Sequence, residues 1–430
     1  MPRLFLCLLA LFIAACASGP KPDTAASDRP ITILVSVDGL RFDYLDRGVT
    51  PTLTAMAADG LRVSRLVPSF PSLTFPNHYT LVTGLHPDHH GIVGNRMTDP
   101  AIAGDFRLSD RAQVMDRRWW DDAEPIWVTG ERAGLRTATL FWPGSEAPIH
   151  GVRPEQWIPF QQSVSSAARV DMLLGWLTLP ADERPQFLTL YFDIVDSAGH
   201  RAGPESPEVN AALTEVDTAL GRLREGLATR GLTDRVNIVV VADHGMAAVS
   251  DARVNVLDEM INVARTTVLD GEALVGLTPQ ADYVAAFEAA LLKPHPHMSC
   301  WRKAEIPARL HYGRHRRVPP YVCLAEAGWG IRTRAAIERS RSSGAAHGGA
   351  HGYDPAASDM HAAMVASGPA FRRGAVLDRA ESVDVHALLA RLLGLRVTAD
   401  DGDPNRFSPV LTNGASIPPV VLPAVRQTAD

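Results

Sequence analysis

Residues 31–38 read ITILVSVD and residues 236–243 read VNIVVVAD. Each stretch is a short, mostly apolar run that ends in an aspartate. Runs of this length and composition are typical of strands buried on both faces of a parallel sheet. Together with two further runs of the same kind, they predict these buried strands: Ile31–Val37, Arg136–Phe141, Phe187–Phe192 and Val236–Ala242.

Helical patterns lie between and after the predicted strands. The clearest are Thr50–Asp59, Ala168–Leu177, Glu208–Thr229 and Val383–Leu395. Strands that alternate with helices indicate an α/β fold with a doubly wound, mostly parallel sheet and helices on both faces. Such folds bind ligands beyond the carboxyl ends of the strands. The aspartates at these ends are therefore candidates for a functional site.

Length and charge limit the function classes. The chain has 430 residues, enough for one large α/β domain or two ordinary ones, and a formal net charge of −6. Nucleic-acid polymers usually bind to a basic face. We therefore expect a small-molecule substrate and no nucleic-acid polymer as a partner. The sequence does not indicate an oligomeric state.

The first 15 residues have the features of a signal peptide. Arg3 precedes an apolar run that is too short to span a bilayer. The run ends in residues 13–16, IAAC, which resemble the bacterial lipobox and imply lipid attachment to Cys16. An ordinary secretory signal cut nearby is the alternative. In both cases we expect an exported chain, periplasmic or anchored as an outer-membrane lipoprotein, with residues 16–29 as a flexible tether.

The remaining cysteines, Cys300 and Cys323, are expected either to pair in an oxidising compartment or to stay as two thiols. They lie in residues 294–341, a weakly periodic stretch rich in Arg, His and Pro that we interpret as a small inserted subdomain or lid. The glycine-rich residues 341–352 are predicted to form a loop. The main domain is expected to span residues 30–400, followed by a proline-rich tail over residues 401–430.

Acidic and imidazole side chains gather at predicted strand ends and in glycine-flanked loops. Zinc accepts oxygen and nitrogen ligands, and six ligands divided between two ions would leave open positions, as in catalytic sites. Two of them, Asp196 and His200, are four residues apart, so one helical turn places them on the same side. Each residue alone could instead be a turn or hydrogen-bonding residue. The candidate ligands are Asp38, Asp196, His200, Asp243, His244 and His351.

Residues 68–95 offer a hydroxyl nucleophile. Thr74 precedes Phe-Pro, and Pro76 suits the first turn of a helix. Thr74 would then lie at a helix N-terminus, which favours anions, and a coordinated metal would lower the pKa of its hydroxyl. The alternative is that Thr74 only caps the helix. Asn95 could donate to a phosphate oxygen, or could be a left-handed turn residue.

Five blocks of sequence resemble the nucleotide pyrophosphatase/phosphodiesterase family, a branch of the alkaline phosphatase superfamily. They are PSLTFPNHYTLVTGLHPDHHGIVGN from residue 71, EPIWVTGERAGLRTATLFWPGSE from 124, TLYFDIVDSAGHRAGP from 189, VVADHGM from 240 and HGYDPAASDM from 351. They stand in the family's order over nearly the whole chain. The resemblance implies an alkaline-phosphatase-like fold and an exported bacterial enzyme that hydrolyses phosphodiester or pyrophosphate bonds of nucleotides and releases nucleoside 5'-monophosphates.

The resemblance also implies two zinc ions and a role for each site residue. One ion would be held by Asp196, His200 and His351, and the other by Asp38, Thr74, Asp243 and His244. Thr74 would be the nucleophile that forms a phosphothreonine intermediate, and Asn95 would bind the phosphate. Phe75 is expected beside the substrate's base, with plain core packing as the alternative. Phe160 is the candidate for a second aromatic wall, although many family members have tyrosine there.

Other assignments remain open at this point. A phospholipid- or choline-type phosphodiesterase would use the same core, and a zinc-bearing surface protein without catalysis is the alternative from another class. A sulfatase is disfavoured because the sequence at Thr74 lacks the C/S-x-P-x-R pattern. His347 and His351 both stand in an Ala-His-Gly context, but His351 is preferred as the ligand because only it is followed by Gly-Tyr-Asp. Three further histidines are interpreted as structural or as neighbours of the ligands: His78, His90 and His361.

Overall fold

A computed structural model describes residues 30–342, 347–396 and 400–412. The predicted signal peptide, the tether with Cys16 and residues 413–430 of the predicted tail lie outside the described residues. Within these residues, none of the helices combines the length and apolar character needed to span a membrane.

The strands form one large sheet and several small ones. In chain order they are β1 Ile31–Val37, β2 Leu61–Val67, β3 Arg96–Asp99, β4 Ile102–Arg107, β5 Thr137–Leu140, β6 Gln156–Ile158, β7 Phe187–Phe192, β8 Val236–Val241, β9 Ala247–Ser250, β10 Val254–Val256, β11 Thr266–Asp270, β12 Leu274–Pro279, β13 Met298–Arg302, β14 Tyr321–Ala325, β15 Gly330–Arg332, β16 His347–Ala350, β17 Ala362–Ser367, β18 Ala375–Leu377 and β19 Ala380–Glu381.

Helices lie between and after the strands along the chain. They are α1 Pro51–Asp59, α2 Thr74–Thr83, α3 Pro87–His90, α4 Arg111–Val114, α5 Ile126–Arg132, α6 Ser166–Trp176, α7 Ile194–Ala202, α8 Pro207–Thr229, α9 Val284–Leu291, α10 Arg334–Ser342 and α11 Asp384–Leu393. The four strands and the longer helices predicted from the sequence are present, with boundaries that differ by a few residues at most.

The large sheet is mixed but mostly parallel, which confirms the predicted fold class. Its order is β18-β2-β17-β8-β1-β7-β5-β6, and β19 also pairs with β2. The central strand β1 is buried along its whole length and runs parallel to β7 and β8. Strand β17 is antiparallel to both of its neighbours. Mixed sheets of this kind are common among large α/β folds.

The register of the central strands aligns their carboxyl ends. Val37 lies opposite Phe192, and Ser36 lies opposite Val241. The residues that follow these three strands therefore emerge at the same edge of the sheet, where the sequence predicted the site.

A second, four-stranded antiparallel sheet has the order β11-β12-β14-β13. We call residues 266–325, which it spans, the small-sheet region. It takes in two strands upstream of the 294–341 stretch and has its own hydrophobic core around residues such as Val275, Leu277 and Phe287. A disulfide joins Cys300 in β13 to Cys323 in β14.

Two stretches differ from the sequence interpretation. Residues 341–352 were predicted to be loop, but they contain the end of α10 and strand β16, which pairs antiparallel with β9. Composition concealed this strand because its glycines are needed for close contact: a side chain at Gly348 would lie 2.2 Å from the His200 carbonyl oxygen. The second stretch is the start of the predicted tail, where Phe407, Val410 and Leu411 are buried in the main core.

Candidate metal and phosphate site

Thr74 begins helix α2 at the carboxyl edge of the large sheet. The residue in the capping position is Leu73, which makes no side-chain capping bond. The Thr74 hydroxyl instead lies 3.3 Å from Nε2 of His244. The structure therefore does not support the interpretation of Thr74 as a helix cap, and it places a hydroxyl among the candidate ligands at a helix N-terminus.

Asp196, His200 and His351 form the first cluster. Nδ1 of His200 donates to the carbonyl oxygen of Gly349 at 2.8 Å, and Nδ1 of His351 donates to that of Ser72 at 2.9 Å. Both Nε2 atoms therefore carry lone pairs, yet they lie 3.1 Å apart and 3.4 and 3.7 Å from Oδ1 of Asp196. A cation shared by the three side chains would satisfy this arrangement.

Asp38, Asp243 and His244 form the second cluster. Nδ1 of His244 donates to the Gly245 carbonyl oxygen, so its Nε2 also presents a lone pair. This Nε2 lies 3.0 Å from Oδ2 of Asp243 and 3.6 Å from Oδ1 of Asp38. The Thr74 hydroxyl contacts this same Nε2. The four residues expected to share one ion, Asp38, Thr74, Asp243 and His244, therefore lie together.

Buried acceptor atoms show how well a cation fits both clusters. One carboxylate oxygen in each of three aspartates is buried without a hydrogen-bond donor among the described residues: Oδ1 of Asp38, Oδ1 of Asp196 and Oδ2 of Asp243. Leaving such acceptors unpaired is costly, and a dication would remove the cost. The first cluster, Asp196, His200 and His351, is close enough to hold an ion. Around the second cluster two overlapping groups meet the same condition: Asp38, His78 and Asp243, and Asp38, Asp196 and His244.

The electrostatics of the clusters agree with this fit. Burial, reinforced by the charges of Asp243 and Asp196, raises the pKa of Asp38 well above its usual range. Burial and the neighbouring imidazoles of His244 and His200 lower the pKa of His351 well below its usual range. The site therefore sets mutually repelling carboxylates beside the neutral imidazole of His351, and a bound cation would relieve that repulsion.

Two further side chains support the clusters. The Tyr191 hydroxyl donates to Oδ2 of Asp38 at 2.7 Å. Nδ1 of His78 donates to the Thr74 carbonyl oxygen at 2.8 Å and lies 3.3 Å from Oδ2 of Asp243. Tyr191 was not predicted from the sequence, where the signal for it was a hydroxyl near the end of a strand next to the one that carries Asp38.

Asn95 is held with a defined orientation. Its Oδ1 accepts a hydrogen bond from the backbone N–H of Phe75 at 2.9 Å. Because the oxygen is occupied, the Nδ2 group remains to donate into the cavity beside Thr74. Asn95 thus fits the predicted role of a neutral donor to phosphate.

A cavity of about 540 Å³ opens next to these clusters. Phe75 lies on one wall, where it also packs edge-on against Phe106, so its two predicted roles are compatible. Phe160 also lines the cavity, 44% exposed and in edge contact with Tyr191. Cavity residues that the sequence analysis did not predict include Leu108, Arg111, Trp142 and Glu146.

Several nearby residues belong to the scaffold. Asp193 follows strand β7 but is bound by the buried guanidinium of Arg169 at 2.8 Å. His90 bonds to Thr80 at 3.0 Å, and His361 bonds to the Pro355 carbonyl oxygen at 3.1 Å.

Comparisons with known proteins agree with this geometry. The family described as type I phosphodiesterase / nucleotide pyrophosphatase matches residues 32–354. An uncharacterized pyrophosphatase/phosphodiesterase of Schizosaccharomyces pombe is 36% identical over 405 residues, which cover 92% of this chain and 83% of its own. The bis(5'-adenosyl)-triphosphatase enpp4 of Xenopus laevis is 34% identical over 412 residues, covering 96% and 87%.

A solved structure is also similar. It is murine ectonucleotide pyrophosphatase/phosphodiesterase 5, described as an inactive threonine-to-alanine variant in complex with AMP. The two chains share 34% sequence identity with a TM-score of 0.84, and the match covers 89% of this chain and all of the murine one.

Proposed function

This chain belongs to the type I phosphodiesterase / nucleotide pyrophosphatase family of phosphodiester-hydrolysing enzymes, and we propose that it cleaves nucleotide phosphodiester and pyrophosphate bonds with Thr74 as nucleophile. The products are a nucleoside 5'-monophosphate and the displaced group. The observation that carries the proposal is the Thr74 hydroxyl 3.3 Å from His244, at the N-terminus of α2 and between two clusters of unpaired ligand atoms.

Two zinc ions are the proposed cofactors. Asp196, His200 and His351 would hold one, and Asp38, Thr74, Asp243 and His244 the other. The ions would supply positive charge that lowers the pKa of a hydroxyl and offsets charge on phosphate oxygens.

The side chains of this chain then account for two displacements. Thr74 Oγ1, having lost its proton, attacks phosphorus, and the bond to the leaving oxygen breaks. The nucleoside monophosphate is left esterified to Thr74, and water releases it in a second displacement. The Asn95 amide donates to a non-bridging oxygen while charge develops there.

The cavity supports a nucleotide as the substrate. Phe75 and Phe160 both line a space of about 540 Å³, and aromatic side chains stack on any base. The murine relative was solved with AMP. A lipid or choline diester would use the same clusters, and the quaternary ammonium of choline would also bind an aromatic face, so the substrate classes have to be compared directly.

Three substrates offered in parallel test this proposal: nitrophenyl thymidine monophosphate, nitrophenyl phosphate and a choline phospholipid. Asn95 is neutral, whereas a monoester dianion would gain from a guanidinium. We expect kcat/KM for the nucleotide diester to exceed that for the monoester by at least about tenfold. Equal rates for the two nitrophenyl compounds, or faster cleavage of the phospholipid, would contradict it.

Export is a separate proposal. Residues 1–29 suggest a signal peptide and a lipid anchor at Cys16, and a Cys300–Cys323 disulfide suits an oxidising compartment. Metabolic labelling with a fatty acid should mark the wild-type chain and not Cys16→Ala. Label on neither chain would leave the ordinary secretory signal as the better account.

A further inference from the structure

Asn95 ends a short loop, Gly91–Asn95, that connects α3 to β3. We call it the phosphate loop. The orientation of the Asn95 amide depends on where this loop places its backbone. Two of its carbonyl groups, those of Gly91 and Val93, are bound by side chains from the small-sheet region.

The first contact comes from Tyr312. Its hydroxyl donates to the carbonyl oxygen of Val93 at 2.9 Å, two residues before Asn95. Tyr312 is only 7% exposed, and its ring packs edge-on against Phe70. The hydroxyl is therefore held in a defined place by packing that does not depend on the hydrogen bond.

The second contact comes from Arg317, whose side chain is fully buried. It donates to the carbonyl oxygen of Gly91 at 2.8 Å and to that of Trp119 at 2.6 Å. Its Nε also bonds to the buried carboxylate of Asp99 at 2.6 Å. Asp99 lies at the end of β3, so Arg317 ties the two sides of the phosphate loop together.

The main domain also binds the backbone of the segment that contains Tyr312 and Arg317. The Asp88 carboxylate accepts hydrogen bonds from the backbone N–H groups of Gly313, Arg314 and His315 at 3.0, 2.7 and 2.9 Å. Side chains of the main domain and of the small-sheet region thus dock residues 312–317 against the phosphate loop. The same residues lie within the segment that the Cys300–Cys323 disulfide closes.

We propose that Tyr312 and Arg317 are positioning residues that act through Asn95. They hold the phosphate loop so that the Asn95 amide meets the phosphate as charge develops, and the small-sheet region is in this respect part of the catalytic scaffold. The proposal rests on the proposed function, because it assumes that Asn95 donates to the transition state.

The test is a double-mutant cycle on the full chain with nitrophenyl thymidine monophosphate as substrate. Tyr312→Phe keeps the ring and removes only the hydroxyl. We expect kcat to fall about five- to twenty-fold with a much smaller change in KM, since small misplacements of catalytic groups cost up to about 10²-fold. In the Asn95→Ala background the same change should have almost no further effect, because the group it positions is gone.

Tyr321→Phe is the matched control. Tyr321 is 8% exposed and also lies in the small-sheet region, but its hydroxyl bonds to Glu288 at 2.7 Å. It should leave kcat unchanged while lowering the melting temperature about as much as Tyr312→Phe. Arg317→Lys is a second variant: it keeps a charge opposite Asp99, cannot make all the guanidinium contacts, and should likewise lower kcat only when Asn95 is present.

The outcomes separate the two proposals. If Asn95→Ala itself does not slow turnover, the proposed role of Asn95 fails. If it does, and Tyr312→Phe and Arg317→Lys either leave kcat unchanged or lower it equally with and without Asn95, the positioning role is overturned. If Tyr312→Phe does not fold, the double-mutant cycle is carried out with Arg317→Lys, and the same dependence of kcat on Asn95 supports or overturns the positioning role.

Discussion

The carboxyl edge of the large sheet and the small-sheet region contribute to the same site by different means. At the sheet edge, functional side chains follow directly from strand ends, as Asp38 follows β1 and Asp243 comes two residues after β8. In the small-sheet region, Tyr312 and Arg317 lie in irregular chain between β13 and β14 and reach the site only through backbone carbonyl groups.

The sheet edge supplies the groups that react or bind metal, and the small-sheet region supplies contacts that position them. Side chains at the sheet edge present unpaired ligand atoms and a hydroxyl, whereas those of the small-sheet region present hydrogen bonds that are already satisfied. Losing a group of the first kind should remove a reaction step, and losing one of the second kind should only change its rate. Substitutions in the two regions test this division.

Thr74→Ala should reduce turnover by at least about 10³-fold, because it removes the attacking oxygen. Circular dichroism should show an intact fold, since the hydroxyl does not cap the helix. Thr83→Ala on the same helix is the control and should retain activity, because among the described residues the Thr83 hydroxyl bonds only to backbone groups, the Tyr79 carbonyl oxygen and the Leu85 N–H. Near-normal turnover by Thr74→Ala would mean that the nucleophile lies elsewhere.

His351→Ala should lower both activity and bound zinc. The loss should exceed the roughly 10–100-fold typical of removing a group that only supports a ligand. Elemental analysis of purified protein measures the metal directly, and His361→Ala is the control because His361 bonds to a backbone carbonyl group outside the clusters. Unchanged zinc content in His351→Ala would remove it from the ligand set.

Phe75→Ala should raise KM for a nucleotide substrate about tenfold, through the loss of base stacking. The KM for a small diester without a base should change little, because such a substrate does not use this wall. Steady-state kinetics on both substrates make the comparison. If both KM values rise equally, Phe75 contributes only by packing against Phe106 and Trp120.

Cys300→Ser with Cys323→Ser should lower the free energy of unfolding by about 3 kcal/mol, because the disulfide closes a loop in the unfolded chain. Activity below the unfolding transition should fall only a few-fold, since neither cysteine touches the site. Chemical denaturation and kinetics at the same temperature measure the two effects. A loss of activity as large as that of His351→Ala would break the division between the regions.

The two regions also differ in how far the sequence predicted them. Strands such as β1 and β7 follow from short, mostly apolar runs, and the placement of Asp196 and His200 on one side of α7 follows from their spacing of four residues. Strand β16 did not, because its glycines owe their role to contacts with α7, which lies far away in sequence. The Asp88, Tyr312 and Arg317 contacts are likewise long-range, and nothing local marks them.

The proposal that the metal is zinc rests on the chemistry of the ligands. The Nε2 lone pairs of His200 and His351 face each other, and one buried oxygen of Asp196 has no hydrogen-bond partner among the described residues, so a cation would stabilise this cluster. Mixed carboxylate and imidazole ligands suit zinc.

The stereochemical course at phosphorus shows whether a covalent intermediate forms on Thr74. A phosphorothioate diester of one configuration, hydrolysed in isotopically labelled water, yields a chiral product whose configuration can be determined. Each in-line displacement inverts phosphorus, so attack by Thr74 followed by attack of water should give overall retention. Overall inversion would show a single direct displacement by water and would contradict a covalent intermediate on Thr74.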